Sequence, residues 1–396
     1  MIDNAARSAG PLLYRPRVVS IVVSSYNYGS FLAKAIESAL SQTYDATDVI
    51  VVDDGSTDDS REVIARYSGR VTAVLKENGG QASALNAGFA GSSGDVVIFL
   101  DSDDVLLPTA AENAVSHFND PDVSKVHWPL IQVDAHGTRS EVLAPAQTLA
   151  EGDVTAGLVH HGPHGYIWPP MSGNAWARSF LERIFPMPEL EYRTCPDLYL
   201  SALVPLFGVI RRLDEPQSLW RIHGTNQSWN GSFEERARLG AQRLEHCYRA
   251  LSRYCLAAGI EVDSEQWKKT SWWQVYLATE ELLTIIPAAS SSFILVEQGD
   301  WETGGFIAGR RCIPFLEKDG AYWGIPADDA TAITELERLR EEQSPGLIVF
   351  AWPHLWWLDH YTALHHYLRS RYACIRENER LVAFDLRTPL ASIGST

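Results

Sequence analysis

The stretch Val96-Val97-Ile98-Phe99-Leu100-Asp101-Ser102-Asp103-Asp104 decides the fold. Its five apolar residues include three that are β-branched, and they predict a fully buried strand. The strand ends in three carboxylates within four positions, which is costly unless a cation lies there. In open α/β sheets, ligands bind at this end of a strand. Oxygen ligands at this density suit Mg²⁺ or Mn²⁺, with positions left for phosphate oxygens. The alternative is a solvated loop whose acids cap the next helix.

Alternating strands and helices surround this stretch. The sequence predicts strands over 18–23, 49–52 and 71–75, and a helix after each of them: over 30–42, through Val63-Ile64, and over 81–90. The order βαβαβαβ predicts a parallel sheet with helices on both faces. We therefore assign the chain to the α/β class.

Composition and charge exclude several classes of protein. With 396 residues, 45% of them hydrophobic and 21% charged, the chain should form more than one soluble globular domain. Its net charge of −17 argues against a nucleic acid as partner, because binding a phosphate backbone requires basic patches. The five cysteines are scattered and form no CxxC pair, which predicts reduced thiols in a cytoplasmic protein.

Membrane-targeting signals are not expected. Met1–Gly10 lacks the apolar core of a signal peptide, and the longest apolar run, Leu198–Ile210, is too short to span a bilayer. We expect a cytoplasmic protein with at most peripheral contact at the inner face of the membrane. The sequence does not indicate an oligomeric state.

The turns after the first two strands favour a nucleotide that is not a dinucleotide. A dinucleotide-binding domain needs GxGxxG after strand one, and that motif is absent there. Ser24, Tyr26 and Asn27 instead offer a hydroxyl, a ring and an amide, and the second strand ends in Asp53 and Asp54. A base could stack on Tyr26 and donate its imide N–H to one of the two acids. Alternatively, the ring is ordinary packing and the acids serve a turn and a helix cap.

Four motifs resemble the nucleotide-binding half of a family 2 glycosyltransferase with a GT-A fold. They are VSIVVSSYN (19–27), VIVVDDGSTDDS (49–60), ENGGQASALNAG (77–88) and FLDSDD (99–104). One such motif is weak evidence, but four in order over about ninety residues are specific. The resemblance implies inverting, metal-dependent transfer of a sugar from a nucleotide-diphosphate sugar to a hydroxyl acceptor.

The resemblance also assigns the donor site. Asp53 and Asp54 would contact the nucleoside, and Asp101 and Asp103 would be the DxD pair that holds Mg²⁺ or Mn²⁺ on the diphosphate. Besides Asp53 and Asp54, the residues that contact the donor would be Ser24, Tyr26, Asn27, Gly80, Asn86, Ser102 and, in addition to its metal role, Asp101. The third motif departs from the family, which often has Ala-Arg-Asn where this chain has Ala84-Leu85-Asn86.

The acceptor region is less regular. We expect a strand over 125–133 and a loop over 160–170, and Met171–Arg178 matches a family segment that lines the acceptor pocket. The implied acceptor residues are Trp168, Gly173, Asn174 and Trp176. The two tryptophans could stack on a sugar or belong to the core.

Two further motifs complete the resemblance. The family opens a helix with an acidic pair whose Asp is the general base; here Pro196 replaces the first acid and Asp197 matches the base. A proline followed by an aspartate is also an ordinary helix start. Residues 219–228 resemble the element R-x-H-x-x-N-x-S, in which His223 could be a third metal ligand or a diphosphate donor, supported by Arg221.

The predicted domains are a disordered lead-in (1–15), a GT-A domain (16–230), a helical connector (231–288) and a small α/β domain of unknown role (289–396). In the last domain we expect strands over 292–296, 347–351 and 381–386, and helices over 328–342 and 355–372. Its polar residues read as surface and packing groups rather than a site: Asp300, Asp359, His360, His365 and His366.

The predicted partners are a UDP-, dTDP- or GDP-sugar and a saccharide or lipid-linked acceptor, in polysaccharide or glycoconjugate synthesis. Two alternatives stay open. One is a non-catalytic nucleotide-sugar-binding or assembly protein. The other is a sugar-phosphate nucleotidyltransferase, which would need a basic, glycine-rich loop after strand one, whereas Ser24–Gly29 contains no basic residue.

Overall fold

The computed structural model describes residues 17–224, 231–269, 272–286, 292–301 and 303–390. The predicted lead-in lies outside these ranges. The chain divides into two units, Met1–His223 with Ala250–Val262, and Gly224–Arg249 with Asp263–Thr396. The domain boundaries predicted from the sequence stay predictions.

Strands in the first unit form two sheets. They are β1 (Val19–Ser25), β2 (Thr47–Asp54), β3 (Thr72–Lys76), β4 (Val96–Asp101), β5 (Val105–Leu106), β6 (Val123–His127), β7 (Leu130–Val133), β8 (Arg139–Ala144), β9 (Asn174–Ala177), β10 (Val209–Arg212) and β11 (Ser218–Arg221). The larger sheet has the order β10-β6-β9-β4-β1-β2-β3, and the smaller one β5-β11-β7-β8.

The predicted α/β class is confirmed, and the sheet order explains the hydrophobic runs. Strands β1 and β4 lie in the middle of the larger sheet and are buried almost throughout. Both faces of such strands are covered, so their sequences are continuously apolar. The sheet is mixed rather than fully parallel, because β9 runs antiparallel to β4 and to β6.

Helices in the first unit follow the strands as predicted over residues 30–90. They are α1 (Gly29–Leu40), α2 (Ser60–Ala65), α3 (Gln81–Ala90), α4 (Ala110–Val115), α5 (Thr155–His161), α6 (Arg178–Ile184) and α7 (Pro196–Leu203). The small residues of α3 let it approach the sheet closely. A Cβ at Gly88 would lie 2.2 Å from a methyl carbon of Val22.

Two predictions in the acceptor region are wrong. The single strand expected over 125–133 is two strands in different sheets, β6 and β7, which are separated at Trp128-Pro129. Proline lacks the N–H that a continuing ladder requires. The loop expected over 160–170 begins with the end of α5 and a 3₁₀ turn, Gly162–His164.

The second unit contains a six-stranded sheet with helices on both faces. Helices and strands from residue 233 onward are α8 (Phe233–Ala257), α9 (Ser264–Lys268), α10 (Trp272–Ile285), β12 (Ser292–Val296), β13 (Phe306–Ile307), β14 (Arg310–Pro314), β15 (Glu317–Lys318), β16 (Ala321–Tyr322), α11 (Asp329–Gln343), β17 (Leu347–Ala351), α12 (Trp357–His360), α13 (Thr362–Arg371), β18 (Ala373–Glu377) and β19 (Leu381–Asp385). Its sheet order is β13-β14-β12-β17-β19-β18. One core cluster joins the sheet to α11 and α13, and another joins it to α10.

All five cysteines lie in the described ranges and are free thiols, as predicted. Among the helices that the structure describes, none combines the length and the apolar character needed to cross a membrane.

Candidate active site

The carboxyl ends of β1, β2 and β4 meet at one edge of the larger sheet. The strand register places Ser24 beside Asp101 and Ser25 beside Asp53. The four sequence motifs include or directly follow the neighbouring strands β1 to β4, so the fold brings them to this edge. Ligands bind at this edge in open α/β sheets.

The loops after β1 and β2 hold each other in place. The backbone N–H of Asn27 donates to Ser56 Oγ at 2.9 Å, and the N–H of Thr57 donates to Asn27 Oδ1 at 2.8 Å. Asn27 has a φ of +56°, a conformation that asparagine tolerates better than most residues. Its amide is therefore used in shaping the turn. Tyr26, beside it, is 38% exposed and offers a ring face at this edge.

Asp53 is a buried carboxylate with one oxygen available. Its Oδ2 accepts from Arg61 Nε at 2.7 Å and from the N–H of Ser56 at 3.2 Å. Its Oδ1 is buried and has no hydrogen-bond partner among the described residues. A buried acceptor without a donor is costly, which makes this oxygen the natural acceptor for a donor group of a ligand.

Asp54 organises the protein's own backbone. It is buried, and its oxygens accept from Lys76 Nζ at 2.7 Å, from the N–H of Gly79 at 2.9 Å and from the N–H of Gly80 at 2.7 Å. Both oxygens thus hold the loop before α3, and the nucleoside contact by Asp54 stays a prediction. Gly80 is needed there, since a Cβ would lie 2.3 Å from Arg193 Cγ.

The third motif connects this loop to the acidic turn. Gln81 Nε2 donates to Asp101 Oδ1 at 2.8 Å. Asn86, predicted as a donor contact, instead pairs with the backbone of Met187: its Nδ2 donates to the carbonyl at 3.0 Å, and its Oδ1 accepts from the N–H at 2.8 Å. Its amide therefore fixes a neighbouring segment, and its contact with the donor stays a prediction.

The Asp101–Asp104 turn concentrates negative charge. It is closed by the Asp104 N–H, which donates to the Asp101 carbonyl at 3.0 Å, and it buries Ser102 and Asp104. Burial and then the charges of Asp103 and Asp197 raise the pKa of Asp101 to about 8. Burial and then the charges of Asp103 and Asp101 raise the pKa of Asp104 well above its usual range. A cation placed here would relieve the repulsion.

Arg221, at the end of β11, binds the backbone and a side chain of this turn. Its Nε donates to the Asp103 carbonyl at 2.8 Å, its Nη1 donates to the Asp134 carbonyl at 3.0 Å, and its backbone N–H donates to Asp104 Oδ1 at 2.9 Å. The residue is 2% exposed, and its guanidinium lies 5.2 Å from the centre of the Phe31 ring. The predicted supporting role of Arg221 thus has a geometric basis.

His223 lies next to the acidic turn. Its Nε2 is 3.0 Å from Asp103 Oδ2, and its ring packs against Phe31 and Tyr28 at centroid distances of 4.8 and 5.4 Å. Asn226 and Ser228 of the same motif lie outside the described residues.

Tyr28 was missed by sequence reasoning. Burial, followed by the charges of three aspartates of the turn, raises the pKa of its hydroxyl above the ordinary value. The available signal was its position directly after Asn27, at the carboxyl end of β1.

Asp197 lies in the first turn of α7 and is half-buried. Its Oδ1 accepts from the N–H of Leu198 at 3.1 Å. Its charge raises the pKa of Asp101 and opposes the effect of burial on Lys125. Asp197 therefore interacts electrostatically with the acidic turn, and its role as the base stays a prediction.

The predicted acceptor residues separate into two kinds. Asn174 and Trp176 are fully buried in β9. Asn174 Nδ2 donates to the carbonyls of Pro170 and Met171 at 2.7 and 3.0 Å, and Lys125 Nζ lies 4.7 Å from the centre of the Trp176 ring. Both side chains thus have internal contacts, and their acceptor role stays a prediction.

Gly173 and Trp168 are the other two predicted acceptor residues. Gly173 allows close packing, because a Cβ there would lie 2.6 Å from Leu130 Cδ1. Trp168 is half-buried and is the remaining candidate for stacking on a sugar.

A divalent ion fits the acidic turn only together with its ligand. Within the described ranges, no group of three or more His, Cys, Asp or Glu side chains is arranged to hold a metal ion. Mg²⁺ is commonly held by one or two carboxylates with substrate phosphates and water as the other ligands, and Asp101 and Asp103 provide such a pair. His223 is placed to orient Asp103, and its role as a third ligand stays a prediction.

Three of the five polar residues of the second unit that sequence analysis assigned to surface and packing have local partners in the structure. Asp300 Oδ2 is 2.9 Å from His354 Nε2. His360 packs on Trp356, and His365 Nδ1 is 3.2 Å from the Leu358 carbonyl.

A mixed α/β sheet with an acidic turn after its central strand is the architecture of a nucleotide-sugar transferase domain of the GT-A type. Residues 20–166 match the model of glycosyl transferase family 2. This stretch of the chain is a family 2 glycosyltransferase domain.

The curated relatives that the chain resembles are named glycosyltransferases. An uncharacterized glycosyltransferase of Nostoc sp. is 34% identical over 212 residues, which cover 52% of this chain and 66% of that protein. An uncharacterized glycosyltransferase of Rickettsia prowazekii matches over only 33% of its length, so the chain spans between a third and two thirds of these relatives. The crystal structure of S. aureus TarS 1–349 in complex with UDP has a TM-score of 0.47 and 16% identity, covering 68% of this chain and 76% of that one.

Proposed function

We propose that the protein is a metal-dependent, inverting glycosyltransferase that moves a sugar from a nucleotide-diphosphate sugar to a hydroxyl acceptor. The observation that carries the proposal is the acidic turn Asp101–Asp104 at the carboxyl edge of the larger sheet, where the end of β2 also presents the Asp53 Oδ1 atom. The charge of Asp197 raises the pKa of Asp101, which supports a base near the proposed metal-binding pair.

Binding of the donor follows from the groups left available. The base would stack on Tyr26 and donate an N–H to Asp53 Oδ1, whose other oxygen is taken. The diphosphate would lie over the acidic turn, where Asp101 and Asp103 would hold Mg²⁺ or Mn²⁺. When bound, the ion supplies positive charge to the departing diphosphate.

Transfer would be a single displacement. Asp197 would take the proton of the acceptor hydroxyl as its oxygen attacks the anomeric carbon. The bond from that carbon to the diphosphate oxygen would break on the opposite face, and the configuration would invert. A helix N-terminus favours a carboxylate in its ionised form, which suits Asp197 to this role.

The donor site can be tested by thermal unfolding of the full chain. UDP-, dTDP- and GDP-sugars are compared with and without Mn²⁺. We expect one nucleotide to raise the melting temperature, with a larger rise when Mn²⁺ is present. Asp103→Asn should remove the Mn²⁺-dependent part. Asp45→Asn is a matched control, because Asp45 is an exposed carboxylate in the same unit. No shift with any nucleotide would contradict the proposal.

Catalysis is tested separately by release of the nucleoside diphosphate from the stabilising donor sugar. Asp197→Asn should abolish release while the thermal shift persists. Binding without turnover by the unaltered protein, over a panel of saccharide and lipid-linked acceptors, would favour the alternative of a non-catalytic nucleotide-sugar-binding protein.

A further inference from the structure

Lys125, in the middle of β6, is a fully buried lysine. Its Nζ lies 3.4 Å from Ser201 Oγ, 4.7 Å from the centre of the Trp176 ring and 5.6 Å from the centre of the Tyr166 ring. In the described ranges, no carboxylate lies within 4.0 Å of it. Burying an ammonium group without a directly bonded carboxylate costs several kcal/mol. The residue therefore calls for an explanation beyond packing.

The position of Ser201 shows where the ammonium group points. Ser201 and Asp197 are four residues apart in α7, so they lie on the same face of the helix, about one turn from each other. Lys125 thus contacts the face of α7 that carries the predicted base. Burial disfavours the ammonium form and lowers the pKa of Lys125 well below its usual value, whereas the charge of Asp197 raises it. The Ser201 hydroxyl and the two aromatic rings around Nζ also favour the ammonium form.

The cation counteracts a specific difficulty of the site. Asp197 lies close enough to Asp101 for their charges to interact unfavourably. Two neighbouring carboxylates disfavour each other's ionised forms. A general base, however, must be ionised to accept a proton. The positive charge of Lys125 would offset the repulsion between Asp197 and Asp101.

We propose that Lys125 is a positioning residue that acts through Asp197 and helps to keep its carboxylate ionised. Ser201 and the rings of Trp176 and Tyr166 hold the ammonium group in place. This inference rests on the proposed function, because it assigns a partner to the proposed base. It also explains why Trp176 is buried in β9: its ring forms part of the lysine site.

Other titratable groups near the pair are few among the described residues. Asp101 lies at the end of β4 and repels Asp197. His127 lies two residues after Lys125 on β6, and burial, followed by the charge of Lys125, lowers its pKa well below the usual value, so it adds no opposing charge. Tyr166 donates its hydroxyl to the Ser201 carbonyl at 2.6 Å.

A first test requires no knowledge of the substrate. Melting temperatures are measured for the full-length protein and for Lys125→Met, Asp197→Asn and the double variant. If the two charges interact, Asp197→Asn lowers the melting temperature when Lys125 is present and lowers it less, or raises it, in the Lys125→Met background. Equal shifts in the two backgrounds would overturn the inference.

A second test measures the pH dependence of nucleoside diphosphate release from the stabilising donor sugar. Lys125→Met should lower kcat, leave KM for the donor unchanged, and move the acid limb of the profile upward by about one pH unit, because the base loses a neighbouring cation. Val126→Ala is the matched control, since Val126 is buried in the same strand and carries no charge. Val126→Ala should leave the pH of the acid limb unchanged, because it alters only packing. An unmoved limb in Lys125→Met would refute the proposal.

Two controls keep the result decisive. If Lys125→Met fails to fold, Ser201→Ala, which removes only the hydroxyl at 3.4 Å, should move the limb in the same direction by less. No movement there would count against the inference. If Asp197→Asn retains normal turnover, the proposed base is wrong. If it is inactive but the Lys125 variants keep the unaltered profile, only the role of Lys125 is wrong.

Discussion

Replacing Arg221 with methionine should disconnect the acidic turn from β11. The guanidinium joins two carbonyl oxygens from different segments, those of Asp103 at 2.8 Å and Asp134 at 3.0 Å. Methionine keeps much of the side-chain volume but donates no hydrogen bond. The backbone N–H of residue 221 would still reach Asp104, so the variant isolates the contribution of the guanidinium.

The size of the effect follows from these contacts. Hydrogen bonds to a charged group contribute about 1.5–3 kcal/mol each, so the loss of the two short ones, to Asp103 and Asp134, costs about 3–6 kcal/mol. A longer contact, from Nη1 to the Ala135 carbonyl at 3.4 Å, is lost with them. Replacing a buried charge by an apolar group recovers part of this cost, about 1–3 kcal/mol. We therefore expect a net loss of about 3 kcal/mol in the unfolding free energy of the first unit. Arg221→Lys keeps the charge but not the planar fork, and should lose about half as much.

Amide hydrogen exchange of the full chain can localise this effect. Protection should fall in peptides that cover Asp101–Asp104 and β11, and the Mn²⁺-dependent stabilisation by the donor should disappear because the turn is released. Arg211→Met is the matched control: Arg211 is 36% exposed and pairs with Asp120 on the surface, a type of contact that contributes about 0–1 kcal/mol. Unchanged protection at the turn in Arg221→Met, or a loss no larger than in the control, would refute the reasoning.

Three further predictions concern charge, packing and thiol reactivity. Without a divalent ion, the pKa of Asp101 in the folded protein is raised to about 8. At any pH between the ordinary pKa of an aspartate and about 8, Asp101 is therefore protonated in the folded state and ionised in the unfolded state. The unliganded protein should therefore lose stability as pH rises through that range. Stabilisation by Mn²⁺ with the nucleotide should grow until about pH 8. Thermal unfolding at several pH values checks both predictions, and a stability that does not change with pH would count against them. Gly88→Ala should cost about 1–3 kcal/mol in urea unfolding because its Cβ meets Val22, whereas Gly240→Ala, with nothing within 4 Å on helix α8, should be neutral or stabilising. Burial raises the pKa of the Cys312 thiol to about 12, so iodoacetamide should leave it unmodified in the native protein at neutral pH, as mass spectrometry of the labelled chain would show.

The nucleotide side of the site could be predicted from the sequence because it is built from local segments. Each motif directly follows or includes a strand, and parallel strands bring their carboxyl ends to one edge whatever the details of the loops. Helix α3 and strand β12 have the bounds that the sequence predicted. Strong local periodicity and clear turn residues account for this agreement.

The roles of individual polar groups could not be predicted in the same way. Asp53 and Asp54 are adjacent and chemically identical, yet one has a buried oxygen without a partner among the described residues and the other binds Lys76, Gly79 and Gly80. Which acid bonds the loop before α3 depends on where β3 ends relative to β2. That register is a property of the sheet and is not encoded in the Asp-Asp pair.

The acceptor side was predicted least well because its elements are short and come from distant parts of the chain. Strand β9 has four residues and is inserted antiparallel between β4 and β6, a position that no local pattern indicates. That insertion buries Trp176 over Lys125, so a residue that resembles a sugar platform in the sequence becomes part of a cation site. On β6, beside β9, Lys125 also contacts Ser201 of α7. The order of the strands therefore supplies the proposed base with its counter-charge, and the motif around Asp197 alone gives no sign of it.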